Sequence, residues 1–200
     1  MAAFVGAAVI ALGSLGGCTP VLKSPAGSDT GGACAPYVAP TNSWTQGSVP
    51  DGTCGEGWAD GDVVDDAQFT DQNGAPVSIW QFYGDVVLLD LSTLWCSPCQ
   101  DLAGGAQATA DTYRDQGFVY LTVLVENLSG DPPTTDDLNS WGNAFGITEP
   151  IVSDDAHIEP ILMPQNNYPG VFVIDRSMVI GPRLDNPTDD TIRAAIEAAL

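Results

Sequence analysis

Cys96 and Cys99 stand three positions apart in Trp95-Cys96-Ser97-Pro98-Cys99, where an apolar run gives way to a helix-compatible stretch. At that spacing on a first helical turn, two sulfurs can close into a disulfide and reopen. The first sulfur sits where free backbone N–H groups and the positive end of the helix dipole favour its thiolate. Such a thiolate attacks a disulfide, and the second sulfur then resolves the mixed disulfide. The pair therefore predicts thiol–disulfide exchange. Cys96 is the expected nucleophile, partly exposed and with a lowered pKa. Cys99, one turn further in and more buried, is the expected resolving thiol. Ser97 and Pro98 set the turn, and a proline in the first helical turn sacrifices no backbone hydrogen bond.

The neighbouring elements must hold these sulfurs in place. Val86-Val87-Leu88-Leu89-Asp90-Leu91 is apolar except for Asp90 and reads as a central strand buried on both faces. A helix is expected from Ser97 to about Asp115, kinked or weakened at Gly104-Gly105. Phe118 to Glu126 reads as a second buried strand. Thr134 to Phe145 reads as a helix, capped by Thr134 or Thr135, with acids in its first turn. Residues 150–153 form a short strand. Two further strands, 170–175 and 178–181, join tightly at Arg176-Ser177. Thr188 to Leu200 closes the chain as an amphipathic helix, with Ile192 and Ile196 one turn apart. Upstream, Phe69 to Ile79 reads as a hairpin turning at Asn73-Gly74. The fold class is α/β, a mixed central sheet flanked by helices with an N-terminal hairpin extension.

Two hundred residues, 44% of them hydrophobic, suffice for one core. The 26 acidic residues outnumber 5 basic ones, for a net charge of −21. That balance disfavours nucleic acid and anionic membrane surfaces, both polyanions. Asp51-Gly52-Thr53 and Asp60-Gly61-Asp62 lack the spacing of a calcium loop. No second Cys-x-x-Cys completes a zinc site, and the lone His157 reads as a surface residue. No metal site is expected.

Residues 1–17 carry no charged side chain, and Phe4 to Leu15 is apolar. The stretch is too short to span a bilayer but fits the apolar region of an export signal, although Met1-Ala2-Ala3 supplies no Lys or Arg. Leu15-Gly16-Gly17-Cys18 resembles a bacterial lipobox, which implies removal of residues 1–17 and lipidation of Cys18. Residues 18–57 read as a tether rich in Gly, Pro, Ser and Thr, and residues 58–200 as the domain. With Cys18 and the Cys96/Cys99 pair assigned, Cys34 and Cys54 remain. In an oxidising compartment they suit a structural disulfide stapling the tether's second half. Closing a loop of about 20 residues contributes on the order of 3 kcal/mol in the chain-entropy model. The alternative, a second redox or resolving pair, has no Cys-x-x-Cys spacing to mark it. Tyr37, Trp44 and Trp58 are expected to pack that half against the domain.

From about Gly61 onward the chain resembles the thioredoxin fold, in its extracytoplasmic TlpA-like/redoxin branch. Gly61 to Phe69 resembles the branch's lead-in segment, with an acid where a proline is usual. The Asn73-Gly74 hairpin and Trp80-Gln81-Phe82-Tyr83-Gly84 resemble the stretch before its central strand. Trp95 to Cys99 matches its active-site motif. Tyr168-Pro169-Gly170-Val171-Phe172-Val173-Ile174-Asp175 resembles its cis-proline loop and following strand.

The resemblance implies a thiol–disulfide oxidoreductase with no cofactor beyond its own Cys96–Cys99 disulfide. It implies partners among cell-envelope protein thiols and disulfides, together with a membrane redox donor or acceptor. Asp90, six residues before Cys96, matches a buried acid that helps deprotonate the second cysteine. Pro169 matches the cis-proline facing the sulfurs, and the backbone of Tyr168 would pair with substrate. Trp95 would shield the disulfide and contact substrate. The lipobox implies anchoring in the cell envelope on the periplasmic face, and Thr19 after Cys18 implies release to the outer membrane. Two alternatives stand beside this reading. A thiol peroxidase is suggested by Thr93, three residues before Cys96, but the matching upstream proline is replaced by Leu89. A non-catalytic binding lipoprotein of the same fold is the other.

Overall fold

The computed structural model describes residues 34–184 and 187–200. The export-signal, lipobox, Cys18 and Thr19 readings lie outside these residues.

Six strands form one sheet. Gln68–Asp71 (β1) and Pro76–Ser78 (β2) pair antiparallel as the expected hairpin. Gly74 sits in its turn at φ +75°, a backbone conformation open to glycine. Val86–Thr93 (β3), Phe118–Glu126 (β4) and Ile151–Ser153 (β5) run parallel, and Gly170–Ile174 (β6) pairs antiparallel with β3. The order across the sheet is β2-β1-β5-β4-β3-β6.

Ser97–Tyr113 (α1) links β3 to β4, and Thr135–Phe145 (α2) links β4 to β5. Both crossovers step the same way along the sheet, so right-handed connections place both helices on one face. Glu159–Leu162 (α3) is a single turn after β5, and Asp189–Ala199 (α4) closes the chain. Thr134 caps α2 as expected, its hydroxyl accepting from the Asp137 N–H while the Asp137 carboxylate accepts from the Thr134 N–H.

Side-chain alternation along the strands separates two cores. Val86 and Leu88 of β3, with Phe118, Tyr120 and Leu124 of β4, face α1, α2 and α4. Val87, Leu89 and Leu91, with Val119, Leu121 and Val123, face the other core, which also holds Trp58, Val64 and Trp80. Tyr37 and Trp44 pack against that second core, and a disulfide joins Cys34 to Cys54 with Cα atoms 5.6 Å apart. Asn42 and Gln81 tie the same segment to β2 through the Pro76 carbonyl and the Ser78 N–H.

Three local expectations need correction. Helix α1 runs unbroken through Gly104 and Gly105. Its buried face is Cys99, Ala103, Ala106, Ala110 and Tyr113, and this packing outweighs the weak helix propensity of the two glycines, which lie off that face. The helix then ends at Tyr113, and Arg114–Gln116 tightens into a 3-10 turn. Residues 178–181 do not form a strand: Val179 and Ile180 make only isolated bridges, to Val63 and Ile174. The turn at Arg176-Ser177 is present.

Candidate active site

Strand β3 delivers its last residues to the edge where parallel strands end and α1 begins. The turn between them is fixed by backbone: the Leu94 N–H donates to Glu126, and the Cys96 N–H to Thr93. The Gln100 amide then donates to the Leu94 carbonyl at 2.8 Å.

Cys96 occupies the N-cap of α1, and its Sγ accepts from the Cys99 N–H at 3.2 Å. A sulfur stands where a serine or aspartate oxygen usually caps a helix, so negative charge on that atom gains a hydrogen bond and the helix dipole together. Pro98 lies in the first turn. Cys96 and Cys99 are joined as a disulfide, Cα atoms 5.3 Å apart. Cys99 is fully buried, and Cys96 retains only 5% exposure. The expected partial exposure of Cys96 is therefore overstated. The Trp95, Ser97 and Pro98 residues around it are exposed.

The Tyr168–Pro169 peptide is cis. Its loop faces the disulfide across a cleft of about 350 Å3 lined by Trp95, Cys96, Ser97, Pro98, Asn167 and Tyr168. Trp95 is half exposed at 49% and meets Tyr168 edge-to-face, ring centroids 5.8 Å apart. Arg183 holds the loop from behind, donating to the carbonyls of Asn167 and Pro169. Gly170 follows because Met163 presses on the backbone there: a Cβ at that position would collide with its sulfur.

Asp90 is fully buried and shares the helix-facing side of β3 with Leu88, the face on which α1 buries Cys99. Its neighbours across the sheet are Thr122 and Val171. Ser92 Oγ donates to its Oδ1 at 2.6 Å, and the Tyr120 hydroxyl to its Oδ2 at 3.2 Å. Burial pushes the carboxyl up to about 6, and these two hydrogen bonds only partly oppose the shift. The Tyr120 phenol moves well above its usual range, by burial first and then by the Asp90 charge. A carboxyl near 6 can give and take protons around neutrality. Ser92→Ala should raise it further. If Asp90 is the base for Cys99, the pH profile of mixed-disulfide resolution should move up by about one unit. Single-turnover stopped-flow across pH 5–9 checks this, and an unmoved profile removes Ser92 from the relay.

Sequence reasoning did not anticipate Glu126, Glu159 or Arg183. Glu126 Oε2 accepts from the Trp95 indole N–H at 2.8 Å, and Glu159 Oε1 accepts from the Tyr168 hydroxyl at 3.0 Å. The Tyr168 phenol is driven up, first by burial and then by Glu159. Nothing in the local sequence pairs residues 31 positions apart, so the first of these contacts had no legible signal. Among the described residues, no group of three or more His, Cys, Asp or Glu could hold a metal, and no helix is long and apolar enough to cross a membrane.

A mixed sheet with a Cys-x-x-Cys disulfide capping the helix after its central strand, facing a cis-proline loop, defines a thioredoxin-fold thiol–disulfide oxidoreductase. The chain belongs to the AhpC/TSA family, whose model matches residues 61–182. Several solved structures share the fold. The thioredoxin domain of a Bacteroides vulgatus thiol-disulfide oxidoreductase is 18% identical, with 72% of this chain and 100% of that one covered and a TM-score of 0.59. A thiol:disulfide interchange protein from a Bacteroides species is 20% identical, covering 70% and 89%, with a TM-score of 0.58. A secreted Mycobacterium tuberculosis disulfide oxidoreductase homologous to E. coli DsbE is 16% identical, covering 66% and 94%, with a TM-score of 0.54. No curated protein matches the chain.

Proposed function

We propose that this chain is an exported, lipid-anchored oxidoreductase that reduces disulfides of cell-envelope proteins. The observation that carries the chemistry is the Cys96 sulfur at the N-cap of α1, with Cys99 buried behind it on the face shared with Asp90. The reduced Cys96 thiolate attacks a client disulfide, forming one S–S bond and releasing one client thiolate. Asp90 takes the Cys99 proton. The Cys99 thiolate then displaces the second client sulfur from Cys96. Two electrons pass to the client, which leaves as a dithiol, and the protein is left with the Cys96–Cys99 disulfide. A membrane dithiol donor restores it. Trp95, Ser97, Pro98 and the Tyr168–Pro169 loop form the surface on which the client lies. Cys34–Cys54 is structural.

Export rests on the apolar residues 1–17, and anchoring on the lipobox-like Leu15-Gly16-Gly17-Cys18. The peroxidase alternative gains nothing from the geometry: the Thr93 hydroxyl is buried and makes no hydrogen bond, and Leu89 is packed in the core.

The deciding experiment is the reduction potential of the Cys96–Cys99 pair, by equilibration in glutathione or dithiothreitol buffers. We expect a value near that of thioredoxin, roughly −270 mV. A value near roughly −120 mV would reverse the direction to oxidation of client thiols. A pair that does not cycle would leave a binding protein.

A further inference from the structure

Four large hydrophobic side chains are exposed among the described residues, and three of them share one edge of the sheet. Trp95 follows β3, Leu128 follows β4 and Ile161 lies in α3 after β5, at 49%, 74% and 60% exposure. Strands β3, β4 and β5 are parallel, so their C-terminal ends line up at the edge that carries Cys96. Of the three, Trp95 also lines the cleft over the disulfide.

Its rim is acidic. Each aromatic ring beside Cys96 has its polar end fixed by a carboxylate, Trp95 by Glu126 and Tyr168 by Glu159. Neither carboxylate forms an ion pair among the described residues, where the ion pairs belong to Arg114. The sequence's only lysine is Lys23. Arg183 is committed to the carbonyls behind the Tyr168–Pro169 loop. Two fixed carboxylates and two aromatic rings attract a cation through charge and through the ring faces.

We infer that this edge docks client segments whose cysteine is flanked by a lysine or arginine and an apolar side chain, with Glu126 and Glu159 setting that preference. The inference rests on the oxidoreductase reading above and specifies its substrate class. The cation lies beside the two carboxylates, and the apolar side chain covers Leu128 or Ile161. An acidic client is repelled from the same edge.

Two synthetic peptides test it, each closed by one disulfide and identical except for lysine or glutamate beside the cysteines. Their reduction rates by the reduced full chain are compared at low salt, with hydroxyethyl disulfide as a neutral probe. We expect the lysine peptide to react about tenfold faster, the ratio collapsing in Glu126→Gln/Glu159→Gln. It should persist in Asp51→Asn/Asp60→Asn, which removes equal charge from exposed residues outside the cleft. Equal rates for the two peptides, a ratio untouched by the first variant, or an equal drop in the second would each overturn the docking site. Failure to reduce even hydroxyethyl disulfide would overturn the oxidoreductase reading and the docking site with it.

Discussion

Cys99→Ser should convert a transient mixed disulfide into a stable one. With Cys96 intact, attack on a client proceeds and the client stays bonded to the protein, a species seen as a mass shift on non-reducing gels. Cys96→Ser should abolish exchange to background, since Cys99 is fully buried and cannot reach a client sulfur. The order of these phenotypes matters more than their size. Were Cys99 the nucleophile, Cys96→Ser would trap the adduct instead. The variants should differ by several powers of ten in single-turnover rate with hydroxyethyl disulfide, because one retains the thiolate held by α1 and the other has none in contact with solvent.

Asp90→Asn should separate catalysis from stability. Resolution of the mixed disulfide should slow about a hundredfold near pH 7, the scale of a lost general base. At strongly alkaline pH, where hydroxide can take the thiol proton in place of Asp90, the difference should shrink. Stability should move the other way. The Asp90 carboxyl is raised to about 6 in the folded state from 3.8, so between these values the folded protein holds a proton that the unfolded chain has lost. Native stability attributable to Asp90 is therefore full below about pH 4 and falls as pH rises to 6, by up to about 1.4 kcal/mol per unit. Across the window the wild type should lose about 3 kcal/mol relative to Asp90→Asn, whose amide does not titrate. Urea unfolding of the oxidised proteins at pH 4, 5, 6 and 7 measures this difference. A pH-independent difference would mean that Asp90 does not titrate in that range.

Much of this arrangement was legible in the chain. The apolar runs at β3, interrupted only by Asp90, and at β4 named the central strands, because only strands covered on both faces tolerate them. Asp90 stood out as the one charge in such a run. Asn73-Gly74 and Thr134 announced a turn and a cap through chemistry that acts within four residues. What escaped notice depends on tertiary contact. Gly104 and Gly105 signal a break only until α1 is pressed against the sheet through Ala103, Ala106 and Ala110. The single turn of α3 is too short to show periodicity, and the carboxylates anchoring Trp95 and Tyr168 come from β4 and from α3 itself.

The strand order has a consequence for how copies of this protein coexist. A sheet with open edges invites neighbouring molecules to add strands, which is how many β proteins aggregate. Here one end is β2, three residues long and opening on Pro76, whose carbonyl is occupied by the Asn42 amide. At the other end the chain folds back over β6, and the N–H groups of Gly181 and Leu184 take the carbonyls of Val173 and Val171. Both margins are closed by the chain's own backbone and side chains, and like charge keeps copies apart beyond contact range. Crowded at high local density on a surface, such domains would repel one another rather than polymerise.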